Sequence, residues 1–226
     1  MRVDLASLGE FGLIAKITEL INCADPDVIL GMGDDCALVR AGADTTWAVT
    51  TDAMIEGRHF RRDWLTPYQI GARAMTAALS DIAAMGASPR FAFASLAIPP
   101  NWDASDALAL ARGLADKASR FGACLLGGDT IAAHEHAFLD ITLIGQCGPH
   151  VWRRDGARPG DAVCVTGNLG GVAAAIAARL TGIEAPLTWQ WYAAPIPRVE
   201  AVSALSSVGA ITAALDLSDG LVRDAG

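Results

Sequence analysis

The apolar positions change period along the chain, and each change marks a strand or a helix. Residues 28–30 form a short apolar run before a glycine turn, and residues 47–51 have the composition of a strand. Ile70, Ala74, Ala77, Ala78 and Ile82 then recur at helical spacing. Thr66-Pro67-Tyr68-Gln69 opens that helix with a hydroxyl N-cap, a proline at the first helical position and a glutamine that closes a capping box; Gly86 stops it. Residues 91–98 predict a strand ended by Pro99-Pro100. A second helix starts near Asp103, carries Leu108, Leu110 and Leu114, and stops near Gly122. Residues 123–126 and 138–144 predict two more strands.

Residues 153–161 are charged and contain Gly156, Pro159 and Gly160, the composition of a junction between domains. Beyond it the pattern predicts a strand over 162–165, an alanine-rich helix over 170–180 ending at Gly182, a loop over 188–197, a helix over 199–205 and a strand over 211–217. The picture is an α/β fold with mixed sheets in two domains, 1–150 and a thin second one over 151–226.

Composition narrows the class. Of 226 residues, 52% are hydrophobic and 19% charged, which excludes a disordered chain. No run of about 18 apolar residues occurs, so no transmembrane helix is expected. Asp4 and Glu10 interrupt the first eleven residues, so no secretory signal is expected. The net charge of −8 argues against non-specific binding to nucleic acid or anionic membranes and suits a protein that binds cations. Cys23, Cys36, Cys124, Cys147 and Cys164 are scattered and odd in number; they read as reduced thiols of a cytosolic protein.

The aspartates carry the candidate chemistry. Apolar strands run into Gly31-Met32-Gly33-Asp34-Asp35, Thr50-Thr51-Asp52, Gly127-Gly128-Asp129-Thr130 and Asp216-Leu217-Ser218-Asp219-Gly220, and the first helix carries Ser80-Asp81. A carboxylate at the mouth of a buried strand is costly without compensation. Any one of them is most simply a helix cap or a turn residue. Five in one short chain favour a shared site for Mg²⁺, which bridges carboxylates to substrate phosphates. The glycines beside them serve either tight turns or a close approach of backbone N–H groups to phosphate. There is no P-loop signature and no protein-kinase signature; of the two lysines, Lys16 and Lys117, neither lies in a glycine-rich loop. Any nucleotide site is therefore metal-dominated, with arginine as its cation. Arg58, Arg61, Arg62, Arg153, Arg154 and Arg158 are candidates, most of them solvated loop charges; Arg154 stands out at the interdomain junction. His59 is either a structural hydrogen-bonder or a phosphate donor, and His134-Glu135-His136 reads as a polar loop. No Ser-His-Asp or Cys-His nucleophile system is present.

Together with Leu8-Gly9-Glu10-Phe11-Gly12-Leu13-Ile14, Glu56-Gly57-Arg58-His59-Phe60 and Leu79-Ser80-Asp81-Ile82-Ala83-Ala84-Met85-Gly86-Ala87, these motifs resemble, in order and spacing along the whole chain, the thiamine-monophosphate kinase family. The resemblance implies the aminoimidazole-ribonucleotide-synthetase-like superfamily, with two α/β domains and a homodimer formed through the N-terminal sheets. It implies Mg²⁺-dependent transfer from ATP to thiamine monophosphate, direct and in line, with no residue acting as acid or base. By motif, Asp35, Thr50, Thr51, Asp52, Asp81, Asp129, Asp216 and Asp219 would hold several Mg²⁺ ions. Gly128, Asp129, Arg154 and Ser218 would contact ATP, and His59 the thiamine phosphate. Family members continue past Gly226, where a Gly-Gly-Glu-Asp-Tyr type motif and a late aromatic residue help form the thiamine pocket. The resemblance therefore implies an incomplete second domain here. Two other readings stand beside it: another ATP-using member of the superfamily, or a non-catalytic nucleotide-binding or dimerising fragment.

Overall fold

A computed structural model describes residues 5–21, 23–206, 209 and 211–225, with the side chains of 5–8 left aside. Its centre is one mixed sheet in the order β1-β2-β3-β6-β4-β5. The strands are β1 (Val28–Leu30), β2 (Ala37–Arg40), β3 (Thr46–Ile55), β4 (Ala87–Ile98), β5 (Cys124–Ala132) and β6 (Phe138–Cys147). All neighbours are antiparallel except β4 and β5, which are parallel. A parallel pair needs a crossover, supplied here by α3 (Ala104–Arg120). The mixed α/β class is as expected.

The helices that cover the sheet begin where their caps place them. At the start of α2 (Pro67–Ala84) the Thr66 side chain takes the Gln69 N–H, while the Gln69 side chain takes the Thr66 N–H; Asp103 caps α3 by accepting from the Asp106 N–H. One face of the sheet, with Ala48, Ala92, Leu139, Ile141 and Leu143, packs under Ile70, Ala74, Met75, Ala78, Leu79 and Ile82 of α2. The two helices cross so closely that a Cβ on Gly113 would lie 2.1 Å from the Tyr68 carbonyl oxygen. The opposite sheet face is open, with Ile55, Phe93 and Phe138 each more than a third exposed.

The remaining regular elements among the described residues are helices: α1 (Leu5–Leu20), with non-helical backbone at Gly9, then a 3₁₀ turn at Arg154–Gly156, α4 (Gly171–Thr181), α5 (Pro186–Ala193), α6 (Val199–Ser206) and α7 (Leu221–Asp224). Three expectations fail here. Residues 162–165 and 211–217 carry no ladder, because among the described residues no strand lies beside them to pair with. Residues 188–197, expected as a loop, include most of α5. Pro186 sits at a helix start, and Pro195 and Pro197 lie beyond its end, so none of the prolines interrupts it. β5 also runs on to Ala132, through the glycines expected to end it. Among the described residues no helix is long and apolar enough to cross a membrane.

Candidate functional site

β3 sends successive side chains to opposite faces. Thr50 and Asp52 point to the helix side, and Thr51 points to the open side, where its hydroxyl donates to Asp140 Oδ1 at 2.8 Å. Asp81, in the last turn of α2, accepts from Thr50 Oγ1 at 2.6 Å. Asp35, from the β1–β2 loop, and Asp216, from the segment before α7, complete a group of four carboxylates that act on one another.

Their electrostatics share one cause. Burial pushes the Asp81 carboxyl up to about 8, and the charges of Asp216, Asp52 and Asp35 add to this against the Thr50 hydrogen bond. Burial, then Asp35, Asp224 and Asp52, raise Asp216 to about 6, opposed by the Ser80 hydroxyl. Burial also raises Asp35, against the Arg154 guanidinium, and Asp52, against His59 and Arg73. Each carboxylate would be relieved by a cation. The donors are all oxygen, as a hard divalent ion requires, and Asp35 Oδ2 is buried with no partner among the described residues. The described residues hold no ready-made set of three or more ligands spaced around one point. Mg²⁺ needs none: it binds through one or two carboxylates, with water and phosphate completing its shell. The residues fit the ion on these terms.

Cations stand at the margins. Arg154 pairs with Asp35 through Nη2 and lies 3.5 Å from Asp34 through Nε, and its backbone N–H donates to Asp34 Oδ2. This ties the 3₁₀ turn to the acidic loop. The Ile55 N–H donates to His59 Nδ1 at 3.0 Å, which leaves Nε2 as the ring's free donor; His59 also acts on the Asp52 charge.

The other sequence candidates have local partners. Asp129 is exposed and accepts from the Thr130 N–H. Gly128 is explained by its neighbour strand, since a Cβ there would lie 1.8 Å from the Ala94 carbonyl oxygen. The backbone N–H groups of Ser218, Asp219 and Gly220 all donate to Asp224 Oδ2, and the Asp219 carboxylate pairs with Arg223 at 3.2 Å. Sequence reasoning passed over Asp140 and Arg73. Arg73 had a signal: it and Asp81 are the only charged residues on α2.

Residues 33–147 match the family described as AIR synthase related protein, N-terminal domain. The chain is similar to the thiamine-monophosphate kinase of Bacillus subtilis, 34% identical over 96% of this chain and 69% of that one. It is similar to the Mycobacterium tuberculosis thiamine-monophosphate kinase, 37% identical over 97% of this chain and 66% of that one. The fold resembles that of AaThiL complexed with AMPPCP and TMP, with a TM-score of 0.81 at 30% identity, covering 91% of this chain and 65% of that one. The chain thus spans about two thirds of the length of these relatives.

Proposed function

The chain belongs to the thiamine-monophosphate kinase family of AIR synthase related proteins, and from that premise we propose that it acts in the ATP-dependent phosphorylation of thiamine monophosphate to thiamine diphosphate. The observation that carries this reading is the cluster of Asp35, Asp52, Asp81 and Asp216, drawn from four separate segments and charged only at a cost. A relative that holds AMPPCP and TMP together supports it.

In this reading Asp35, Thr50, Asp52, Asp81 and Asp216 would hold Mg²⁺, with Thr51 offering its backbone carbonyl and Asp129 and Asp219 serving ions nearer the nucleotide. When bound, the ions would neutralise the charge of the phosphates that must meet. Gly128, Asp129, Arg154 and Ser218 take the ATP side, and His59 the accepting phosphate. The bond from the γ-phosphorus to its bridging oxygen breaks, and ADP leaves with that electron pair. An ionised oxygen of the accepting phosphate forms the new bond, so no side chain removes a proton. The residues supply position and charge. Residues 1–150 would carry most of the ATP and Mg²⁺ site and, through the open sheet face, a homodimer; residues 151–226 would add Arg154, Asp216 and Ser218. A cytoplasmic setting belongs to the same reading, supported by the scattered, odd-numbered cysteines of the sequence.

The test is mass-spectrometric detection of thiamine diphosphate after incubation with thiamine monophosphate, ATP and Mg²⁺. Product above a no-protein control is expected. Binding of Mg–ATP without turnover would replace the kinase reading with a nucleotide-binding role.

A further inference from the structure

Lys117 and Arg120 stand together in the last turn of α3, and among the described residues neither lies within ion-pair distance of a carboxylate. The Lys117 ammonium lies 5.9 Å and the Arg120 guanidinium 5.6 Å from the centre of the same ring, that of Phe121. The neighbouring carboxylate, Asp116, is engaged by the Tyr68 hydroxyl, which donates to its Oδ2 at 3.1 Å. Lys117 Nζ donates instead to the Pro195 carbonyl oxygen at 3.1 Å, a neutral acceptor beyond the end of α5. Two like charges side by side with no counter-charge disfavour one another, and an anion between them would relieve both.

Both side chains line a cavity of about 310 Å³ between α2, α3 and the end of α5, with Tyr68, Ala72, Ala193 and Pro195 on its other walls. That volume is at the small end of ligand cavities. The cavity is separate from the acidic cluster: about two and a half turns of α2, roughly 14 Å of rise, divide Ala72 from Asp81. Burial, and then the Arg120 charge, hold the Lys117 ammonium below its usual value. More of this amine is therefore unprotonated, and so nucleophilic, at a given pH. The one other lysine, Lys16, is exposed on α1. The cavity thus places a nucleophilic nitrogen beside a fixed cation with donors to spare.

We propose that Lys117 is a site of N-acylation by small acyl phosphates, with Arg120 holding the phosphate of the donor in this cavity. The ammonium first gives a proton to water. The freed Nζ electron pair forms a bond to the acyl carbon, and the bond from that carbon to the bridging phosphate oxygen breaks. Phosphate leaves with that electron pair, and a second proton passes from nitrogen to solvent. Nothing is oxidised or reduced. A guanidinium suits the departing group, because its planar fork of donors matches phosphate oxygens. The product amide is uncharged, so the C-terminal end of α5 loses a cation that complements its dipole.

The test follows acetylation of Lys117 and Lys16 in the same wild-type chain by peptide mass spectrometry, with acetyl phosphate as the probe. Lys117 is expected to react at least about fivefold faster than Lys16, as a lysine with a lowered proton affinity does. Excess inorganic phosphate should slow Lys117 and leave Lys16 unchanged. Arg120→Gln should slow acetyl phosphate at Lys117 by about tenfold or more, as loss of a hydrogen bond from a charged group does. The N-hydroxysuccinimide ester of acetate, which carries no phosphate, should be slowed by less than about threefold, through the charge on the amine alone. Equal labelling of the two lysines would overturn the proposal, and so would phosphate that slows both of them or neither. Arg120→Gln that slows both reagents alike, or neither, would mean that Arg120 does not hold the donor and would overturn it too. The competition by phosphate needs only wild type, so it decides the matter even if Arg120→Gln fails to fold.

Discussion

Residues 28–147 and 148–225 contain similar apolar runs but use them differently. In the first region every strand has a neighbour, and the helix-facing side chains of β3, β4 and β6 are largely buried, many of them under α2. In the second, runs that resemble strands have no ladder, and Val163 and Val222 remain 84% and 89% exposed. An apolar run becomes a buried strand only if the chain brings it a partner. The acidic site straddles this difference. Asp35, Asp52 and Asp81 belong to the well-packed region, whereas Asp216 comes from the other.

The largest effect to look for is therefore at Asp52. Asp52→Asn should lower Mg²⁺-dependent transfer by about a hundredfold or more, the scale on which a lost electrostatic contact to a transition state is felt. The melting temperature should hold or rise, because a buried like charge has been removed. Asp216→Asn should do the same to transfer if both regions serve one site. Full activity in Asp216→Asn would break the link between them.

The next effect is on stability and reads the contrast directly. Gly113→Ala forces a Cβ to within 2.1 Å of a backbone oxygen across the α2–α3 crossing. Overpacking of this kind costs about 1–3 kcal/mol or more. Val222→Ser should stay within about 0.5 kcal/mol. Urea unfolding measures both, and amide exchange should be slower in β3, β4 and β6 than in α4 to α7.

A third, smaller effect comes from pH. Asp81 and Asp216 titrate at about 8 and about 6 when folded, against 3.8 unfolded. Between about pH 4 and pH 8 the folded chain thus holds more protons than the unfolded one, and stability falls as pH rises. Mg²⁺ should offset that fall, so its gain in melting temperature should be larger at pH 8 than at pH 5. A gain independent of pH would mean that the ion binds elsewhere.

These contrasts also explain what the sequence could reveal. The start of α2 was readable because a capping box lies within four residues. Asp35, Asp52, Asp81 and Asp216 were readable as candidates because strand ends are poor places for a lone carboxylate. What failed depended on distant partners. Residues 162–165 and 211–217 look like strands until a neighbour is sought. Arg73 resembles any surface arginine until Tyr192 arrives from 119 residues away.

The smallest effect separates the two faces of a single strand. Thr50 and Thr51 are adjacent and nearly identical in chemistry, yet one hydroxyl holds Asp81 at 2.6 Å and the other holds Asp140 at 2.8 Å on the open face. Thr50→Val removes the hydrogen bond that favours the charged form of Asp81, so its proton should be held more tightly still. Mg²⁺ competes with that proton, and the variant should need a higher pH for the same activity, with a loss of about tenfold near neutrality. Thr51→Val leaves the cluster alone and costs at most a surface hydrogen bond, so its pH profile should overlay the wild type. If both variants shift the profile equally, the alternation of β3 does not divide the site from the open face. If only Thr50→Val shifts it, one face of the strand serves the acidic cluster and the other does not.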